Sequence, residues 1–122
     1  GNAIEASRSF GKLESLLRSG LQKQPKNTSM MVYLALTLTR LGKFPEALAL
    51  AASAVEHDST NPEIRYKVAE MYSIQKKRDA AIGALREAFA LSYQLEELTN
   101  ADFYNLFDQA EFRSIIQEPI SQ

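Results

Sequence analysis

Two adjacent stretches of equal length decide the fold. They are NTSMMVYLALTLTRLGKFPEALALAASAVEHDST, residues 27–60, and NPEIRYKVAEMYSIQKKRDAAIGALREAFALSYQ, residues 61–94. Laid over one another at an offset of 34 residues, Ala35 falls on Ala69, Ala47 on Ala81 and Ala54 on Ala88. Leu34 falls on Val68, Leu38 on Tyr72 and Ala51 on Leu85. A period of this size marks a repeat architecture, in which each unit buries its apolar face only by stacking on a neighbour. Such arrays usually serve as binding surfaces.

The helix signals bracket the same ladder. Asn27, Thr28 and Ser29 supply capping oxygens for a helix over 29–41, which Gly42 ends. Pro45 lies in the first turn of the next helix, which runs to His57; a proline there loses only an N–H that no helix pairs. Asn61, Pro62 and Glu63 repeat the device as cap, fixed φ and first-turn acid for a helix reaching Gln75. Asp79 opens another that reaches Leu91. Upstream, 7–24 is amphipathic, with Phe10, Leu13, Leu17 and Leu21 on one face and Leu16 beside them. Gly11 and Gly20 weaken that helix, and Pro25 closes it. No stretch has the period of a strand.

After Tyr93 the register changes. Thr99 with Asp102, and Asp108 with Glu111, pair an N-cap with an acid three positions on, and Pro119 follows. Two short helices carrying Phe103, Tyr104, Phe107 and Phe112 are expected to seal the last repeat, as solenoid ends require. Part of that aromatic cluster could instead face a second copy or another domain.

Bulk properties narrow the function classes. The chain has 122 residues, 45% apolar and 24% charged, with a net charge of −1. This balance argues against a nucleic-acid footprint. Without cysteine there is no disulfide, thiolate metal site or thiol nucleophile. No apolar run approaches the ~20 residues that span a bilayer. The first residue is Gly1 rather than methionine, which reads as an excised fragment or a processed product. The compartment stays open, a cytoplasmic one being favoured over a periplasmic one.

The chain resembles the tetratricopeptide repeat (TPR) family. The resemblance rests on Met31, Leu34, Ala35 and Leu38, then Gly42, Phe44, Ala47, Ala51 and Ala54. It recurs in Arg65, Val68, Ala69 and Tyr72, then Ala81, Leu85 and Ala88. Shifted back one period, Phe10 lies under Phe44 and Leu17 under Ala51. The first helix then reads as a helix B whose helix A is missing or reduced to the first few residues. Departures are Arg65 for the usual aromatic, Lys76 for the turn glycine, and Ser59 and Tyr93 for the closing proline. The resemblance implies an all-α fold of antiparallel helix pairs stacked in a right-handed superhelix, an α-solenoid. It divides the chain into a partial repeat (1–26), two repeats (27–60 and 61–94) and a capping segment (95–122).

In the family, helices A line a concave groove that takes a peptide. Position by position, that implies groove residues at Val32, Leu36 and Thr39, and at Tyr66, Glu70 and Ser73, with Ser29, Arg40 and Glu63 near the rim. Val32, Leu36 and Tyr66 would then be exposed apolar side chains, and the pair Val32→Glu and Tyr66→Ala would leave the fold intact. The chaperone-tail clamp known in one TPR subclass is not implied, because neither helix A contains asparagine and Lys67 with Arg40 does not make it. The face of Phe10, Leu13 and Leu17, lacking its helix A, is a candidate for self-association into a homodimer.

Catalytic candidates are weak. His57 stands alone, and a histidine base or ligand needs partners. Lys76, Lys77 and Arg78 read as a solvated turn after a helix C-terminus. The acids Glu96, Glu97, Asp102, Asp108 and Glu111 lack calcium-loop spacing, and no phosphate-cradling or nucleophile motif is present. The expectation is a non-catalytic scaffold without cofactor or metal that binds a protein or peptide. The alternative is a structural or self-associating segment, or a targeting module, of a larger protein, a signalling protein being one candidate.

Overall fold

The computed structural model describes residues 2–91. They form α1 (Asn2–Lys23), α2 (Thr28–Arg40), α3 (Phe44–His57), α4 (Pro62–Ile74) and α5 (Arg78–Ala90). There is no strand among the described residues, so the all-α expectation holds. The expected capping helices over 95–122, with Phe103, Tyr104, Phe107 and Phe112, lie outside the described residues. The chain divides into two compact units at Ser59 and Thr60.

In the first unit α2 packs on both α1 and α3. The seam with α3 is rich in small apolar side chains: Ala35, Ala47 and Ala54 are fully buried together with Leu38. On the other side, a Cβ added at Gly20 would lie 2.9 Å from Met30 Sδ. That glycine therefore gives up helix propensity for a close approach of α1 to α2. α1 begins five residues before the expected start. Its opening residues are not a remnant of a separate helix A but the first turns of α1 itself. Ala3 and Ala6 favour the helix, Glu5 sits in its first turn, and no proline interrupts it.

In the second unit α4 and α5 form one hairpin, with Ala69 and Ala81 fully buried and Ala88 at 1% exposure on its seam. Arg65 of α4 pairs with Glu87 of α5 across it.

The two turns repeat bond for bond. After α2, the Lys43 N–H donates to the Leu38 carbonyl at 2.8 Å and the Gly42 N–H to Thr39 at 3.0 Å. One period later, the Lys77 N–H donates to Tyr72 at 2.9 Å and the Lys76 N–H to Ser73 at 3.1 Å. This pattern satisfies the last carbonyls of a helix through one left-handed residue. Gly42 takes φ 78 and Lys76 takes φ 64. The helix starts also echo: the Asn27 side chain accepts from the Met30 N–H and the Asn61 side chain from the Glu63 N–H. Asp79 does not open α5, as its place in the sequence suggested. It sits in the first turn, and Lys77 occupies the cap position with no side-chain bond. Lys77 both ends α4 and begins α5, so there is no intervening residue to carry a capping oxygen.

A left-handed backbone costs an L-residue with a Cβ about 1–2 kcal/mol that glycine does not spend. Lys76→Gly is therefore expected to raise stability by about 1 kcal/mol, and Gly42→Ala to lower it by a similar amount. Urea denaturation of the two variants checks this; equal and unchanged midpoints would refute it.

Candidate functional site

Val32, Leu36 and Thr39 follow one another at i, i+4 and i+7 on α2, and Tyr66, Glu70 and Ser73 do the same on α4. Each trio therefore forms one stripe of its helix. The stripes are not open. Val32 is 1% exposed, Thr39 3%, Tyr66 1%, Glu70 8% and Ser73 1%. Leu36 alone is half-buried. The expectation that Val32 and Tyr66 stand exposed is thus corrected. Both helices bury more than their hairpin seams: α2 buries Met31, Leu34, Ala35 and Leu38 and, off that line, Val32, Thr37 and Thr39. The rim residues Ser29, Arg40 and Glu63 are exposed, as their position implied.

The polar members are provided for. Thr39 Oγ1 donates to the Ala35 carbonyl at 2.8 Å, and Thr37 Oγ1 donates to that of Tyr33 at 2.8 Å. Such bonds to the preceding turn let a hydroxyl be buried in a helix. Lys67 Nζ lies 3.7 Å from a Glu70 carboxylate oxygen and 5.5 Å from the centre of the Tyr66 ring. The α4 stripe thus offers a phenol, a carboxylate and a hydroxyl in one line beside an ammonium.

The face of Phe10, Leu13 and Leu17 is partly covered: Phe10 and Leu17 are half-buried, and Leu13 is 41% exposed. The most open apolar side chains of α1 are Leu16 at 70% and Ile4 at 63%. Ile4 lies before the helix start that the amphipathic pattern predicts at Ser7, within the added first turns of α1.

Shifted titrations in the described residues gather elsewhere. Glu14 of α1 accepts from Arg18 at 2.8 Å and pairs with Lys43 at 3.1 Å, while Arg18 reaches Glu46 of α3 at 2.7 Å. The hydrogen bonds from Arg18 and then Lys43 hold the Glu14 carboxyl below its ordinary value, and Glu46 with Glu14 pushes the Arg18 guanidinium up. Clustered shifts can mark an active site. This cluster reads as a clamp, because its members pair with one another between α1 and the start of α3. His57 Nδ1 lies 2.8 Å from the Ser53 carbonyl of its own helix, and Lys76, Lys77 and Arg78 are exposed. Among the described residues no group of three histidine or carboxylate side chains could hold a metal ion, and no helix is long and apolar enough to cross a membrane.

No protein-family model matches this chain, and no curated protein matches it.

Two outcomes follow from this geometry. Val32→Glu and Tyr66→Ala are core variants: truncating the buried ring is expected to cost about 3 kcal/mol or more, whereas Leu36→Ser stays within about 1 kcal/mol. Urea midpoints decide between them. For the clamp, a carboxyl whose folded pKa is depressed stabilises above its unfolded value, about 4.3 for glutamate, and that contribution disappears as pH falls through the folded value. Glu14→Gln is therefore expected to lower stability by up to about 1 kcal/mol at pH 7, because the cluster is partly exposed. The gap to the unmodified chain should close below about pH 4. A gap that persists at acid pH would show that the carboxylate charge is not what matters.

Proposed function

We propose that the chain is a non-catalytic protein–protein interaction scaffold of the TPR kind, an α-solenoid that holds an extended segment of a protein partner on its helix A faces. One observation carries this reading. The 34-residue period of the sequence reappears as the same turn bonds, the same left-handed residue and the same buried alanines in both hairpins. A chain that repeats a helical hairpin to this degree is built to extend a surface rather than to enclose a reaction centre. Leu36 is the position of the α2 stripe that a partner can reach without the core opening, and the exposed Arg40 lies one turn beyond it on the same helix.

A second reading has its own observation: the open Ile4, Leu13 and Leu16 of α1. Exposed apolar side chains grouped on one element often mark an interface. On this reading the chain is a self-associating or targeting segment of a larger protein, and the partner is a second copy or a neighbouring domain.

Two measurements separate the readings. A peptide array is screened with the whole chain and with Leu36→Ser, after circular dichroism shows equal helix content. Loss of the captured peptides on Leu36→Ser is the expected result, and identical capture would refute the groove. Light scattering over a concentration series is then run with and without Leu16→Glu. A monomer in both states leaves the groove as the working surface, whereas a dimer that Leu16→Glu dissolves would establish the second reading.

A further inference from the structure

α1 is attached to its unit differently from the other two helices. None of its described residues is fully buried, whereas α2 buries seven residues and α3 three. Its apolar hold is the half-buried stripe of Phe10, Leu17 and Leu21, together with the close approach of Gly20 to Met30 of α2. That stripe is about 40° wide at 100° per residue. Residues 3–9 are exposed and add nothing to the hold. A segment with few buried apolar contacts opens at a lower free energy than the core it packs on.

The rest of the attachment is ionic. Glu14 lies about 20° around the axis from Leu21, at the edge of the stripe. Its carboxylate meets Arg18 Nε at 2.8 Å and Lys43 Nζ at 3.1 Å, and Arg18 Nη2 reaches Glu46 at 2.7 Å. Lys43 and Glu46 belong to the hairpin, at the end of the α2–α3 turn and in the first turn of α3. The Glu14 side chain is 15% exposed, against 41% for Arg18, 52% for Lys43 and 46% for Glu46. It is the member most withdrawn from water, and two cations share it.

α1 also covers a definite side of α2. Thr37 follows Met30 by seven residues and lies about 20° around the axis from it, on the side that Gly20 approaches. Thr39 lies about 160° from Thr37, on the far side of α2 from α1. The two are equally buried, at 4% and 3% exposure, and each hydroxyl donates to a carbonyl of its own helix. We infer that α1 undocks as a unit from the α2–α3 hairpin, that Glu14 with Arg18, Lys43 and Glu46 is its latch, and that undocking bares the Met30–Thr37 side of α2. The bared side is available only in the open state, so anything that binds there does so in proportion to the open fraction.

The absence of cysteine allows a direct test on the full chain. Thr37→Cys and Thr39→Cys place one thiol on each side of α2 at matched burial. Each is reacted with a thiol reagent, alone, with Glu14→Gln and with Leu17→Ser. Glu14→Gln is expected to speed labelling at position 37 by about two- to fivefold, the scale of a partly exposed ion cluster. Leu17→Ser weakens the apolar hold and is expected to speed it by about tenfold or more. Labelling at position 39 should stay unchanged in both. Equal acceleration at the two positions would overturn the inference, because α1 would then open only when the hairpin does. No acceleration at position 37 by Glu14→Gln would overturn the latch, even where Leu17→Ser acts, since the ions would then not hold α1.

Discussion

Close approach between helices at alanine sets the terms for each hairpin. Ala35, Ala47 and Ala54 in the first unit, and Ala69, Ala81 and Ala88 in the second, are all within 1% of complete burial. A larger side chain at any of them would push the axes beyond the usual separation of about 8–10 Å. Close axes in turn require a short connection, and three residues suffice here: 41–43 and 75–77. A three-residue connection must reverse the chain and satisfy the last carbonyls together, which calls for one left-handed residue. Gly42 fills this role at no steric cost, and Lys76 fills it against its own preference. The lysine shows that the hairpin seam, not the local residue, dictates the turn.

Ions act around this frame rather than within it. Arg18, Glu14, Lys43 and Glu46 join α1 to the beginning of α3, while the Thr28 hydroxyl donates to the Asp58 carboxylate at 3.2 Å and joins the start of α2 to the end of α3. Both links are long in sequence and peripheral in space. They fix the register of helices that apolar side chains already hold, which is the usual use of partly exposed charge. In the second unit, Lys67 brings a cation to the line of Tyr66 and Glu70, so this stripe carries polarity into buried surroundings. Buried polar groups restrict what can pack on them more sharply than apolar ones do.

Much of the fold was legible because its signals are local. Asn27 and Asn61 cap as their spacing predicts, Pro45 and Pro62 lie in first turns, and Gly42 ends α2. The misread points are those where one residue serves two elements or no breaker stands. Asp79 was expected to open α5, but the helix starts one residue earlier at Arg78, and Lys77, the last residue of the α4 turn, holds the cap position. The start of α1 was set too late because 2–6 has no amphipathic pattern of its own. Those residues are helical through propensity and continuity alone, and they are exposed where described.

The candidate site shows where reading by residue stops. The stripes of Val32, Leu36 and Thr39, and of Tyr66, Glu70 and Ser73, could be placed on single helix faces from spacing, because the 100° step per residue is a property of the backbone. Their burial could not be read. A helix with one covered face shows one apolar stripe, and Glu70, Ser73 and Thr39 carry no hydropathy signal that they are covered. The amino-acid sequence alone determined the helical character of the chain, the Asn27 and Asn61 caps and the alanine seams, since each depends on neighbours within a few residues or on a strict period. Only the tertiary structure decided which further faces are removed from water, because burial belongs to what packs on a residue and not to the residue itself.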